Sequence, residues 1–190
     1  MVKYEVIILW SDFMTFDTAF FLGLITSVAV FVSFQLKDMR LVLICQILCN
    51  SAGAISYLLA PTGGLSGFTI FAVAILQCIV FFVLRHKGAT VPRYMAYVFA
   101  VAYLACSIIT YKAPIDIISA VAAQTCAFGV AQKKVSVYRI LLLFNGLLWL
   151  TYDLLLPATL TMAVAHIITV ASSLIGIVRL DILAKRKTET

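Results

Sequence analysis

Five side chains carry most of the usable chemistry inside the apolar runs of this chain: Asn50, Gln77, Asn145, Trp149 and His166. An amide offers two donors and an acceptor, which suits the hydroxyls or carbonyls of a neutral solute. The Trp149 indole offers an apolar face with one donor, a platform for a sugar ring or another flat solute. His166 is suited to relaying a proton, or to sitting neutral and satisfied. Polar groups in such surroundings either hydrogen-bond neighbouring helices as glue or line a pathway, and the residues alone leave both uses open.

The spacing places these groups on helix faces. Gln46, Asn50, Gly53 and Tyr57 recur at intervals of 4, 3 and 4, and Asn145, Trp149 and Tyr152 at 4 and 3. Each set is one stripe of an α-helix. His166, Thr169, Ser173 and Gly176 form a third stripe, with a weaker counterpart in Ile70, Val73 and Gln77. Tyr57 and Tyr152 stand near the ends of their runs and read as interface anchors. Asp116 and Asp153 read as solvated helix ends.

The elements that must hold these stripes follow from composition. The chain has 190 residues, 64% hydrophobic and 12% charged, with mean hydropathy +1.11. A soluble domain is about 45–50% apolar and about 25% charged. This balance excludes a disordered chain, a disulfide-rich secreted module and an ordinary soluble enzyme. It fits a polytopic membrane protein. Seven spans are expected, at about 17–35, 41–60, 64–84, 93–111, 114–131, 137–156 and 159–179. Short connections with turn residues separate them, among them Lys37-Asp38, Pro61-Thr62-Gly63-Gly64, Lys87-Gly88 and Pro157-Ala158.

Of the 14 Lys and Arg residues, 12 fall on one side of this layout and only Lys3 and Lys112 on the other. The imbalance predicts an N-terminus outside and a cytoplasmic C-terminus, which requires an odd number of spans. Basic loops read this way mark topology rather than a nucleic-acid partner.

The two ends of the chain also match each other. Asn50 and Tyr57 sit seven apart, as do Asn145 and Tyr152, and each pair runs into a leucine-rich segment ending in proline, at Pro61 and Pro157. Gln35 precedes Lys37-Asp38 as Gln132 precedes Lys133-Lys134, so the offset is 95–97. The expected fold is an all-α membrane protein of seven transmembrane helices, two parallel three-helix repeats joined by a linker helix. Its parts are an interfacial segment 1–16, repeat 17–84, linker 85–112, repeat 113–181 and basic tail 182–190.

Ser33-Phe34-Gln35-Leu36-Lys37-Asp38-Met39-Arg40, the residues Gln46, Asn50 and Tyr57-Leu58-Leu59, and the late runs Leu148-Trp149-Leu150-Thr151-Tyr152 and Ile175–Asp181 resemble the bacterial inner-membrane YgjV family over about 17–181. The layout resembles the three-plus-one-plus-three transporters of the PQ-loop and SWEET group. This chain departs from that group at its name-giving dipeptide, with Phe34-Gln35 and Ala131-Gln132 in its place. The resemblance implies carriage of a solute, while proline-hinged gating loses its basis.

No nucleophile elbow, P-loop, zinc-protease helix or dinucleotide glycine pattern occurs. Cys45 and Cys49 share a helix face, but read as small buried hydrophobes rather than metal ligands. No cofactor, metal or catalytic residue is expected. The expected function is facilitated passage of a small polar or neutral solute by alternating access, with Asn50, Asn145, Trp149, His166 and Gln77 as the contacts. Membrane lipid is the expected partner, self-association stays open, and a non-transporting subunit or receptor-like scaffold is the alternative.

Overall fold

Apolar runs of this length satisfy their backbone polarity in lipid by coiling. The computed structural model describes residues 18, 21–59, 65–156 and 160–183, and no strand occurs among them. Among the described residues seven helices stand where seven spans are expected: α1 (Phe21–Gln35), α2 (Met39–Leu58), α3 (Leu65–His86), α4 (Arg93–Thr110), α5 (Asp116–Val130), α6 (Val135–Leu155) and α7 (Leu160–Gly176). α7 continues as a wider π-helical turn over Ile177–Ile182.

Five of these are long and apolar enough to cross a membrane: α2, α3, α4, α6, and α7 with its extension. α5 is shorter than the expected full span. The 15 residues of α5 cover about 22 Å against about 30 Å of hydrocarbon. Its start is fixed by Asp116, whose Oδ2 accepts the N–H groups of Lys112 at 2.8 Å and Ala113 at 3.0 Å. That fastens a tight turn around Pro114 instead of another helical turn.

Helix ends elsewhere follow local chemistry. Asp38 caps α2 by accepting the Arg40 N–H at 2.8 Å and pairs with the Arg40 guanidinium at 2.9 Å. Those bonds to Arg40 hold the Asp38 carboxyl below its ordinary range. The turn after α3 needs a left-handed residue and has Gly88, with φ of 74°.

α2 packs on α3, α6 packs on both α5 and α7, and α4 lies against α3 and α5. α1 joins α2 through Gln46 Nε2, which donates to Ser33 Oγ at 3.2 Å, and joins α7 through Ser172 Oγ, which donates to the Phe31 carbonyl at 3.1 Å. α3 meets α5 through Gln77 Nε2, which donates to the Ala127 carbonyl at 2.9 Å. These contacts enclose the polar stripes, while the outer faces carry exposed Leu, Ile, Val, Phe and Tyr. The interfacial segment 1–16, residues 184–190 of the tail, the turns at 61–64 and 157–158, and Gly63 lie outside the described residues.

Close helix approach depends on small residues. A Cβ on Gly67 of α3 would stand 2.6 Å from Cδ1 of the Tyr57 ring. Gly67→Val is therefore expected to push α2 from α3 and destabilise the fold by about 1–3 kcal/mol. A thermal melt in detergent checks this, and an unshifted midpoint contradicts it.

Candidate functional site

One face of α6 supplies the axis of the site. Its buried residues Arg139, Leu142, Asn145, Trp149 and Asp153 recur every three or four positions and run the length of the helix. Around the middle of that stripe is a cavity of about 40 Å³. Its wall includes Thr26 of α1, Gln46 and Asn50 of α2, Cys126 of α5, and His166 and Thr169 of α7. Phe34 of α1, Phe71 of α3, and Asn145 and Trp149 of α6 also line it. A space this size holds ordered water, but not a solute such as a sugar.

Four of the five expected contact residues, Asn50, Asn145, Trp149 and His166, thus meet at one cavity. Gln77 does not line it. Its amide is fully buried between helices, donating to Ala127 O and accepting from Tyr103 Oη at 3.0 Å. A helical stripe specifies a face but not which neighbour that face meets, and here α4 and α5 take up both ends of the amide.

The two asparagines are held differently. Asn145 Nδ2 donates to the Ala122 carbonyl at 2.7 Å and to Thr125 Oγ1 at 3.3 Å, fixing it to α5. Among the described residues Asn50 Nδ2 has a long contact of 3.9 Å with Cys78 Sγ. Trp149 sits among Tyr57, Phe71 and Tyr152, with ring centres 5.7, 5.4 and 5.5 Å away. It lies parallel to His166, 10° between planes and 5.8 Å between centres. The cysteines Cys45, Cys49, Cys78, Cys106 and Cys126 are free thiols.

At the end of the cavity toward the C-terminus of α6, Asp153 is fully buried rather than solvated. Its Oδ1 accepts the Tyr57 hydroxyl at 2.7 Å, and its Oδ2 lies 2.6 Å from His166 Nδ1. This joins α2, α6 and α7 and corrects two expectations. Asp153 is four residues after Trp149, so it shares the inward face despite its place near the helix end. Tyr57 is buried and engaged, not an interface anchor. Tyr152 is buried as well, its hydroxyl 3.4 Å from Oδ1 of a buried Asp116.

At the opposite end Phe34 and Tyr138 close the interior, ring centres 5.7 Å apart. Arg139, one of the 12 bases counted on one side of the layout, is buried here. Its Nε donates to Phe34 O at 2.8 Å, Nη2 to Leu36 O at 2.7 Å and Nη1 to Asp181 Oδ1 at 2.7 Å. The signal for Arg139 and Asp153 was their register at the two ends of the α6 stripe. Among the described residues no three His, Cys, Asp or Glu side chains are grouped to hold a metal.

A family model described as a bacterial inner membrane protein, Imp-YgjV, matches residues 17–183. No curated protein and no solved structure matches the chain.

Proposed function

Because the chain belongs to the Imp-YgjV family of bacterial inner membrane proteins, we propose that it carries a small polar or neutral solute across that membrane by alternating access. The moving parts in this reading are two three-helix bundles, α1–α3 and α5–α7, with α4 as linker. The N-terminus is outside and the C-terminus in the cytoplasm. The observation that carries the reading is the cavity between the bundles, mostly apolar with a few polar groups in its wall, where Asn50, Asn145, Trp149 and His166 meet. Contacts that cross from one bundle to the other close it at both ends: Tyr57 to Asp153 on one side, Arg139 to Phe34 and Leu36 on the other.

A pair of hydrogen bonds supports the repeat. Gln77 of α3 donates to a carbonyl of α5, and Ser172 of α7 donates to a carbonyl of α1. Ser172 follows Gln77 by 95 residues and Ala127 follows Phe31 by 96, within the offset of the sequence repeat. A three-plus-one-plus-three carrier of the PQ-loop and SWEET kind needs such a relation between its halves.

The carrier reading is preferred to an enzyme. A histidine–carboxylate pair on neighbouring helices is an arrangement an intramembrane enzyme would use. The bond from His166 goes to Asp153, and none joins His166 to a serine, threonine or cysteine among the described residues. A non-transporting subunit has one observation in its favour, the amide of Asn145 already being bonded to α5.

Uptake of labelled glucose, sorbitol and alanine into proteoliposomes separates these readings. Asn145→Ala and Trp149→Ala are each expected to lower the initial rate of the accepted probe about tenfold or more, a loss of about 1.4 kcal/mol of binding or passage. Rates equal to those of the native chain would remove the pocket, and no uptake of any probe by the native chain would put the scaffold reading in its place.

A further inference from the structure

The outer-end cluster has a property that a neutral-solute pocket does not need. A ring nitrogen 2.6 Å from a carboxylate oxygen shares a proton with it, so His166 Nδ1 and Asp153 Oδ2 are committed to each other. The remaining ring nitrogen, Nε2, is then the site for one more proton. Without it, the pair carries one negative charge. With it, an imidazolium faces a carboxylate and the pair is neutral.

Among the described residues no basic side chain pairs with this carboxylate besides His166. Asp153 is faced by Tyr57 from α2, and His166 by Trp149 from α6, with Phe71 of α3 against Trp149. Tyr152 stands between Asp153 and the other buried acid, Asp116 of α5. Among the described residues no lysine or arginine forms an ion pair with Asp153 or Asp116. The His166 ring is part of the cavity wall, and the cavity can hold water, so a proton arriving by that route meets the ring first.

We infer that Asp153 and His166 form a proton-binding site that makes solute movement proton-coupled, a role that rests on the carrier reading above. The coupling comes from the cost of burying net charge. Open to outside water, the anionic pair is hydrated. A proton from that water adds to Nε2, the pair becomes neutral, and Tyr57 closes over it onto Asp153. When the inner end opens, the same N–H bond breaks and the proton leaves to the cytoplasmic water. The unprotonated pair resists closure, so a solute does not cross alone.

The full chain has two tryptophans, and Trp10→Phe leaves Trp149 as the sole reporter of the stacked imidazole. In this background Trp149 emission is expected to fall reversibly on acidification from pH 8 to pH 5 as an imidazolium forms against the indole. His166→Gln is expected to abolish the change. An acid response that persists in His166→Gln overturns the proton site, whatever the uptake result.

In proteoliposomes, an inward gradient of about one pH unit is expected to accumulate the accepted probe about tenfold for one proton per solute. Asp153→Asn is expected to lose accumulation of the probe. Uptake that ignores the gradient overturns the coupling and leaves the carrier standing. Absence of uptake for every probe overturns the carrier reading and the coupling with it, while the fluorescence response still reports the site.

Discussion

Arg139→Ala is expected to cost the folded chain about 3–5 kcal/mol, the range for removing one partner from a buried charged contact. The side chain is 2% exposed and serves three acceptors at 2.7–2.8 Å. Two of these are carbonyls at the C-terminal end of α1, Phe34 and Leu36, where a helix has no intrahelical donors left to offer. Alanine strands both carbonyls and the Asp181 carboxylate, whose Oδ2 is already buried without a partner. The surrounding backbone is shaped to this arginine. A Cβ on Gly176 would meet Phe34 O at 2.7 Å and Arg139 Cδ at 3.1 Å, and α7 widens into its π-helical turn where Asp181 reaches back. Arg139→Lys is expected to recover little, because one ammonium cannot reproduce a planar fork aimed at three separate acceptors. Chemical or thermal unfolding in detergent checks both variants, and an Arg139→Ala chain within about 1 kcal/mol of the native one would show the contact to be dispensable.

Where the sequence was readable, it was readable through period and run length. Each apolar run became a helix with ends within a few residues of expectation, because the backbone has no other way to satisfy itself in lipid. Asn50, Asn145, Trp149 and His166 were found from stripes, since the stripe is what a helix turns toward its neighbours. Depth along the chain was a poorer guide than rotation about the helix. Nearness to a helix end suggests a solvated Asp153 and an interfacial Tyr57, yet Asp153 repeats Trp149 at i+4 and Tyr57 repeats Gly53 at i+4. Both positions therefore turn inward, and a carboxylate turned inward finds partners on other helices that no single helix displays. Arg139 counts with Lys133 and Lys134 among the bases of one side, and its register with Leu142 and Asn145 puts it in the interior. Gln77 shows the converse limit: its polarity and face were right for a pocket, but the partner of that face was set by how α4 and α5 pack.

Tyr57→Phe is expected to loosen the opposite end without disturbing its packing. Phenylalanine keeps the ring contacts with Phe71 at 5.3 Å and Trp149 at 5.7 Å, and it keeps the fit against Gly67. Only the hydroxyl is lost, and with it the bond to Asp153 that ties α2 to α6. A hydrogen bond to a charged acceptor is worth about 1.5–3 kcal/mol, so the population with this end open should rise roughly ten- to a hundredfold. Cys49 and Cys126 line the cavity and report that opening directly. With Cys45, Cys78 and Cys106 replaced by alanine, and in the orientation proposed above, an impermeant maleimide added outside should label Tyr57→Phe faster than its parent by that factor. The same reagent presented to the cytoplasmic face should distinguish Arg139→Ala instead. The two variants must give opposite sidedness if the bundles close the cavity from two ends. Equal labelling from both faces in Tyr57→Phe would mean that the hydroxyl holds the fold together generally, and that Asp153 is a structural anchor with no gate to govern.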